Sequence, residues 1–430
     1  MSASTDGFWL IVTGLWATAA LFQAALLLVQ AYEHRRFAAS RLQNIPRLHS
    51  SRPTLLIVPC RGAEPDLVEN LDRFFRQDHP NYRIRFVVER PEDPAYQVIR
   101  GLITAYPARK AEVLFAGEAA GEAQKVHNLR FATADIPDDI EVLAFADSDA
   151  APPGHWLRAL TSRLEDRDTA AVTGYRWFIA SATRLPDAVV YSINAGYAML
   201  LGSRAPNLVW GGSWAITRAT FERLAIRDAW SGTICDDLKA ADVLRRAGLR
   251  VQFEPACMIP TRNHWHWSDT LAFIERQFSL ARYVIFRWWL SAVLLQTFAQ
   301  VSFWGLLLCA WAGPSLPVRV AAGTAAGLLY VVYALRGVCR AWATRTYCAD
   351  AFPRMRWIFL IDILAAPCLT LLSWATLIRG GWRRDIRWRG IVYRRERNGT
   401  WRIMNRRSPE SPGGPAAIPA TPLPSVPEAA

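Results

Sequence analysis

From Phe8 to Tyr32 the chain carries no charged side chain over twenty-five consecutive residues. About twenty apolar residues suffice for a helix to cross the hydrocarbon core of a bilayer, so this run restricts the chain to folds anchored in a membrane. Ser, Thr and Asp precede it, not basic residues, and it is too long for the apolar core of a signal peptide. A transmembrane helix over 8–32 is therefore expected. Arg35, Arg36, Arg41, Arg47 and Arg52 follow, and the positive-inside rule puts residue 33 onward in the cytoplasm and the N-terminus outside. Composition agrees: 52% of the residues are hydrophobic and 20% charged, against about 25% charged in ordinary soluble domains. Such a chain is not intrinsically disordered, because disorder needs low hydrophobicity and high charge.

Residues 53–260 read differently. Short apolar runs at Leu55–Val58, Ile84–Val88, Val142–Ala146 and Ala170–Thr173 alternate with helical stretches such as Asp66–Gln77 and Tyr96–Ala105. Strand alternating with helix predicts an α/β unit with a mainly parallel sheet and ligands at the carboxyl ends of its strands. Beyond Arg287 the apolar character returns in Trp288–Ala312, Val320–Leu335 and Trp357–Ile378. The first two are expected to span the membrane. The third holds Asp362 and Pro367, both costly in a simple span, and a third crossing would put the Arg-rich tail outside. A re-entrant or interfacial segment is expected there, within a C-terminal membrane region at 288–378.

The net charge of +13 is concentrated: Arg379 to Arg407 contains eleven Arg against Asp385 and Glu396. Basic clusters beside a membrane segment attract anionic headgroups, so 379–407 reads as a basic interfacial segment and no nucleic-acid partner is expected. The Pro/Ala-rich stretch 408–430 is expected to be disordered. The seven cysteines show no CxxC pair and no zinc-like spacing with His, which points to neither a disulfide framework nor a zinc site.

The strongest chemical signal is an apolar strand ending in Asp147-Ser-Asp149. Two hard oxygen ligands at this spacing can hold Mg²⁺ or Mn²⁺ against a substrate diphosphate; the same pair also suits a helix cap before Pro152-Pro153. A second signal is Cys235-Asp236-Asp237-Leu238. Its acids can cap the following helix or supply a general base for an attacking hydroxyl. Glu89 and Asp93 follow the second strand, where a nucleotide's base or ribose would lie, although Asp93-Pro94 is also an ordinary turn. Lys125 could pair with a phosphate or be plain surface, and Trp210-Gly-Gly-Ser213 suits close backbone approach to a substrate or a simple turn.

Taken in order, Val58–Pro65, Gln77–Tyr82, Val87–Ala95, Gln124–Leu129, Phe145–Asp149, Thr173–Trp177, Trp210–Ser213 and Asp236-Asp237 resemble a membrane-bound family 2/21 glycosyltransferase of the ceramide glucosyltransferase type. The resemblance runs from about Pro53 to Arg287. It implies a GT-A (nucleotide-diphospho-sugar transferase, Rossmann-like) α/β domain over 53–287 plus transmembrane helices, in the inner cell membrane and facing the cytoplasm. It further implies a UDP-sugar donor, most simply UDP-glucose, and inverting transfer onto the hydroxyl of a membrane lipid. Carried over residue by residue, Asp93 falls on the aspartate that contacts the nucleotide, with Glu89 beside it. Asp147 and Asp149 fall on the metal-binding pair, with Asp147 also near the donor. Lys125 falls on a donor-pocket lysine, and Asp237, preceded by Asp236, on the catalytic base.

The sequence departs from the family at (Q/R)xxRW. Arg276 fits the first position, but Ser279 and Leu280 stand where Arg and Trp would be. Gln277, Arg282 and Tyr283 are expected to supply a shifted version, with Arg276, Gln277 and Arg282 contacting the donor; a cationic helix leading into the membrane is the plainer reading. Ile386–Tyr393 resembles the W-R-G-x-x-Y segment of membrane glycosyltransferases and is expected to anchor at headgroup depth through Trp388 and Tyr393. The rival readings are a processive polysaccharide synthase, disfavoured by few spans and no intact (Q/R)xxRW, and a non-catalytic membrane protein that binds lipid or nucleotide sugar.

Overall fold

A computed structural model describes residues 3–407 except 65, 167, 204 and 264; the 408–430 stretch lies outside the described residues. After helix α1 (Ala3–Leu42), the chain forms β1 (Thr54–Pro59), α2 (Leu67–Phe75), β2 (Tyr82–Val88), α3 (Pro94–Ala105), β3 (Ala111–Phe115), α4 (Gln124–Ala132) and β4 (Val142–Ala146). Then come α5 (Trp156–Ser162), β5 (Ala171–Ala180), α6 (Leu185–Ala198), β6 (Ser213–Thr217), α7 (Arg218–Arg223), α8 (Ile226–Ala229), α9 (Asp236–Arg246) and β7 (Val251–Asn263). These seven strands make one sheet in the order β3-β2-β1-β4-β6-β5-β7. Pairings are parallel except at β6, which runs antiparallel to both β4 and β5.

The strands β1 and β4 are buried along their whole length, as strands covered on both faces must be. Leu56, Val58, Ile84, Phe86 and Ala144 pack with Leu71 and Phe74 of α2, Ile99 of α3 and Trp156 of α5. The alternate residues Leu55, Ile57, Val87, Leu143 and Phe145 pack on the other face with Val126 and Leu129 of α4 and Leu244 of α9. The chain steps outward from β1 to β3 and then returns to set β4 on the far side of β1. That reversal leaves a crevice at the carboxyl ends of β1 and β4, where ligands of such sheets bind. Asp147 and Asp149 stand at this point. The edge strand β3 and the later strands β6 and β7 were not legible as separate elements.

Next come α10 (Trp267–Val284), α11 (Phe286–Ala312), α12 (Leu316–Tyr347), α13 (Arg356–Leu364) and α14 (Ala366–Trp382). The helices α1, α11 and α12 are each long and apolar enough to cross a membrane, and the α13–α14 pair meets the same test but is bent by 81°. Pro367 lies in the first turn of α14, where its missing N–H breaks no helical bond. Asp362 of α13 is fully buried and accepts two bonds from Arg340 of α12, Nε at 2.8 Å and Nη2 at 2.9 Å. A bidentate guanidinium accounts for an acid in an apolar run.

The chain then turns back. Strands β8 (Asp385–Trp388), β9 (Ile391–Arg395) and β10 (Trp401–Arg406) form a small antiparallel sheet in the order β10-β9-β8. Its Ile386, Ile391, Tyr393 and Trp401 are buried in the α4-side core of the large sheet. The headgroup-depth anchor expected of Tyr393 is therefore corrected: the ring is fully buried and its hydroxyl accepts from the Gln124 backbone N–H at 3.1 Å. Part of the basic surplus is also used internally, since Arg379 and Arg383 each pair with buried Glu275 at 2.9 Å.

Breaking a buried ion pair leaves one charge uncompensated, whereas replacing both partners by apolar groups is nearly neutral. Asp362→Ala should lower the unfolding free energy in detergent by about 3–5 kcal/mol, while the double variant Asp362→Leu with Arg340→Met recovers most of that loss. Denaturant titration of both variants checks this; equal losses in the two would refute it.

Candidate active site

Residues from distant parts of the chain meet in the crevice. Lys125, in the first turn of α4, places Nζ 2.7 Å from Asp147 Oδ1 and 3.2 Å from Asp236 Oδ1. Burial alone would lower its pKa, but Asp147, Asp236 and Asp237 together raise it well above the usual value, so the ammonium is permanent at physiological pH. Burial drives the Asp236 carboxyl up to about 6, with Lys125 opposing and Asp237 and Asp147 adding to the rise. Its Oδ2 is buried without a hydrogen-bond partner.

Asp237 is less deeply buried and is held on both oxygens. Oδ2 accepts from Gly211 N at 2.7 Å, while Oδ1 accepts from Leu238 N at 2.7 Å and the Cys235 thiol at 2.8 Å. A Cβ on Gly211 would lie 2.7 Å from Lys125 Nζ and 3.0 and 3.1 Å from the Oδ2 atoms of Asp236 and Asp237, so the close approach there requires glycine. On the other side, Asp149 Oδ1 accepts from Arg176 Nη2 of β5 at 2.8 Å. Burial would raise the Asp149 carboxyl, but Arg176, Arg389 and Lys125 outweigh it and hold it at about 2.

The end of β2 forms a second, adjoining cluster. Asp93 caps α3, its Oδ1 accepting from Ala95 N at 3.0 Å and Gly62 N at 2.8 Å. Glu89 Oε2 pairs with Arg61, just after β1, and with Arg406 Nη1 of β10 at 2.6 Å. Asp93 Oδ2 and Glu89 Oε1 are both buried and have no hydrogen-bond partner among the described residues.

The donor set suits a hard divalent cation. Asp147 and Asp149 each keep one carboxylate oxygen outside their ion pairs, on side chains 25% and 32% exposed. Mg²⁺ is usually bound by one or two carboxylates together with substrate phosphates and water. Among the described residues no three His, Cys, Asp or Glu side chains converge on one point, so this chain fits that shared mode and not an all-protein cage.

Helix α10 corrects the expected donor contacts. Arg276 lies within the field of the crevice: burial lowers its guanidinium to about 10, against the opposing pull of Asp149 and Asp147. Gln277 and Arg282 stand on other faces of the helix. Gln277 is exposed, and Arg282 lies over the rings of Tyr283 at 5.3 Å and Trp289 at 5.8 Å. One residue along a helix turns the side chain by about 100°, so Gln277 cannot share the face of Arg276. Ser279 is fully buried against α14, its Oγ donating to Gly380 O at 2.7 Å. An Arg would not fit between the two helices. The residues that sequence reasoning missed are Arg61, Arg176, Arg389 and Arg406. None stands in a motif of its own, and Arg406 meets a carboxylate 317 positions earlier, a distance no local pattern signals.

A sheet in the order 3-2-1-4-6-5-7, with acids at the end of its fourth strand, defines the GT-A class of nucleotide-diphospho-sugar transferase folds, here joined to a multi-pass set of apolar helices. A family model, glycosyl transferase family 21, matches residues 13–401, and the chain belongs to that family. It is similar to ceramide glucosyltransferase 1 of Caenorhabditis elegans, 36% identical over 93 residues, which are 20% of this chain and 20% of that protein. It is likewise similar to the ceramide glucosyltransferase of Candida albicans, 34% identical over 61 residues, 14% of this chain and 11% of that protein. The matched part thus spans a fifth or less of these relatives. Among solved structures, a mannosyltransferase from Pyrobaculum calidifontis in complex with GDP-Man and Mn²⁺ aligns over 84% of this chain and 97% of that one. Its identity is 17% and its TM-score 0.41, too low to bear on the site.

The Asp236 carboxyl holds its proton more tightly in the folded chain, about 6 against the ordinary 3.8. Ionising it therefore costs stability as pH rises through that interval, by about 1.4 kcal/mol per unit. Asp236→Asn carries no such cost. The stability of the variant relative to the wild type should rise by about 2 kcal/mol between pH 4 and pH 7, measured by unfolding in detergent with a chelator present. A difference that stays flat with pH would overturn the assignment.

Proposed function

We propose that this chain transfers a hexose, most simply glucose, from a UDP-sugar to the hydroxyl of a membrane lipid such as ceramide, with inversion at the anomeric carbon. The α/β domain lies on the cytoplasmic face of the inner cell membrane, where a water-soluble donor meets a lipid acceptor. Family membership and the names of its relatives support the class. The observation that carries the reading is the crevice itself, where Lys125 gathers Asp147 and Asp236 while Gly211 N orients Asp237.

In this reading Asp237 is the general base. Its carboxylate takes the proton of the acceptor hydroxyl as the hydroxyl oxygen forms a bond to the anomeric carbon. The bond from that carbon to the diphosphate oxygen breaks on the opposite face, and its electron pair leaves with the nucleoside diphosphate. The Gly211 and Leu238 amides fix the direction of the Asp237 carboxylate. Asp147 and Asp149 would hold Mg²⁺ or Mn²⁺, which when bound neutralises charge building on the leaving diphosphate. Lys125 and Arg276 add fixed positive charge beside it. Glu89 and Asp93 stand at the nucleoside end, where Arg406 and the Gly62 amide hold them. Asp236 works through Lys125, keeping the ammonium in place as a positioning residue.

Membranes containing the protein, given radiolabelled UDP-glucose, should yield a chloroform-soluble product of one or two sugars on lipid. Asp237→Asn should lower its rate of formation about 100-fold or more while UDP binding is retained. An undiminished rate in that variant would reject Asp237 as the base, and a long polymer would reject single transfer to lipid.

A further inference from the structure

The small C-terminal sheet reaches the crevice through the turn between β8 and β9. Trp388 pairs with Ile391, which leaves Arg389 and Gly390 as a two-residue loop with φ of +43° and +76°. Two left-handed residues make the type I′ turn that suits a twisted hairpin, and Asn-Gly is the sequence such a turn favours. An arginine in the left-handed region is unusual, and an outlier of that kind is a reason to ask what the side chain does.

Its contacts give the answer. The Arg389 backbone carbonyl accepts from Arg61 Nε at 3.1 Å, and Arg389 Nη1 donates back to the Arg61 carbonyl at 3.0 Å. The hairpin tip is thereby fixed to the residue that follows β1. The same Nη1 lies 2.9 Å from Glu64 Oε1, a carboxylate 52% exposed, while the Arg389 side chain is only 18% exposed. Arg61 in turn pairs with Glu89, and its neighbour Gly62 donates to Asp93, so the Arg389 guanidinium stands among the acids at the carboxyl end of β1. Thus a largely buried cation stands at the crevice end of β1, and among the described residues the carboxylate it meets, Glu64, is on the open loop after that strand. Ser279 brings no cation to this place, because it is buried against α14, and Leu280 packs into the core beside the small sheet.

We propose that Arg389 is a phosphate-binding residue of the donor site, held by Glu64 until the diphosphate of a nucleotide sugar displaces that carboxylate. The inference rests on the nucleotide-sugar reading above and extends it by making the returning C-terminal sheet a wall of the donor pocket. A guanidinium binds phosphate by charge-assisted hydrogen bonds more strongly than it binds a solvated carboxylate, so the exchange runs toward the donor. Arg176 stays on Asp149, and Arg406 stays on Glu89 at the nucleoside end.

The test uses the full-length protein in detergent, with Mn²⁺, and equilibrium binding of UDP and GDP, the tighter of the two being followed. Arg389→Asn suits the turn better than arginine and should be at least as heat-stable as the wild type, yet should bind the nucleoside diphosphate about tenfold more weakly. Glu64→Gln frees Arg389 and should bind it two- to fivefold more tightly, with no such gain in the Arg389→Asn background. If wild type binds and Arg389→Asn binds equally well, Arg389 is not a phosphate ligand, and the transferase reading is untouched. Unchanged or weaker binding by Glu64→Gln rejects the displacement, whether or not the Arg389 variant folds. If wild type binds neither nucleotide, the donor-site reading and this inference fall together.

Discussion

Carboxylates gathered at the ends of neighbouring elements repel one another, and burial strengthens the repulsion. Lys125 is what lets Asp147, Asp236 and Asp237 share one crevice. A unit-charge attraction at 4 Å is worth about 4 kcal/mol at the effective dielectric of a protein surface, and this ammonium meets two of the acids directly. The arrangement depends on fold more than on local sequence: α4 delivers the lysine, β4 one acid and α9 the others. Gly211 closes the group by giving up a side chain, so that its N–H can approach Asp237. Asp149 needs a separate cation, Arg176, because it points to the other side of the crevice. The acids thus divide into a lysine-held set beside the base and an arginine-held one beside the open face.

How much of this was readable follows from the range of each interaction. The strands β1 and β4 announce themselves because a strand buried on both faces is a nearly continuous apolar run, β2 does so despite Arg85 within it, and the acid pair at the end of β4 follows from that placement. Asp237, Asp236, Lys125 and Asp93 were legible as ordered motifs, and the structure draws the first three into one cluster with Asp147, with Asp93 in the adjoining one. Helix α10 was legible only as a departure from the motif: its sequence gives Arg276 in register and Gln277 and Arg282 shifted, and the helix turns these three side chains to different faces. Arg61, Arg176, Arg389 and Arg406 were illegible for the same reason that β10 was: their partners lie across the fold, and a basic run near a membrane segment looks like a lipid contact until its tertiary partners are known.

The membrane half follows the same rule of satisfying costly groups internally. Asp362 stands in an apolar run only because Arg340 meets it in bidentate geometry. Trp16 of α1 donates to Ser302 of α11 at 2.9 Å, and Gly305 leaves the space that the indole fills. The catalytic half is tied to these helices by polar contacts as well as apolar ones. Tyr191 of α6 and Trp177 of β5 both reach Thr344 of α12, at 2.9 and 3.2 Å, and His34 of α1 meets Tyr347 at 3.0 Å. A sheet whose β5 and α6 are bonded to α12 keeps a fixed height and tilt over the apolar helices.

The return of the chain after α14 gives the crevice its remaining cations. A GT-A sheet provides acids at its strand ends, but a diphosphate also needs positive charge, and α10 spends the relevant face on packing against α14. Small residues there, Ser279 and Gly380, allow the two helices to close together. Once an arginine is excluded from that contact, charge has to come from elsewhere. The next residues in sequence that can reach the crevice are those of the small sheet, which buries Ile386, Ile391 and Tyr393 to secure its seat and carries Arg389 and Arg406 to the two ends of the pocket. Tight packing of α10 on α14 thus leaves no room for an arginine at Ser279, and the C-terminal hairpin brings Arg389 and Arg406 to the crevice instead.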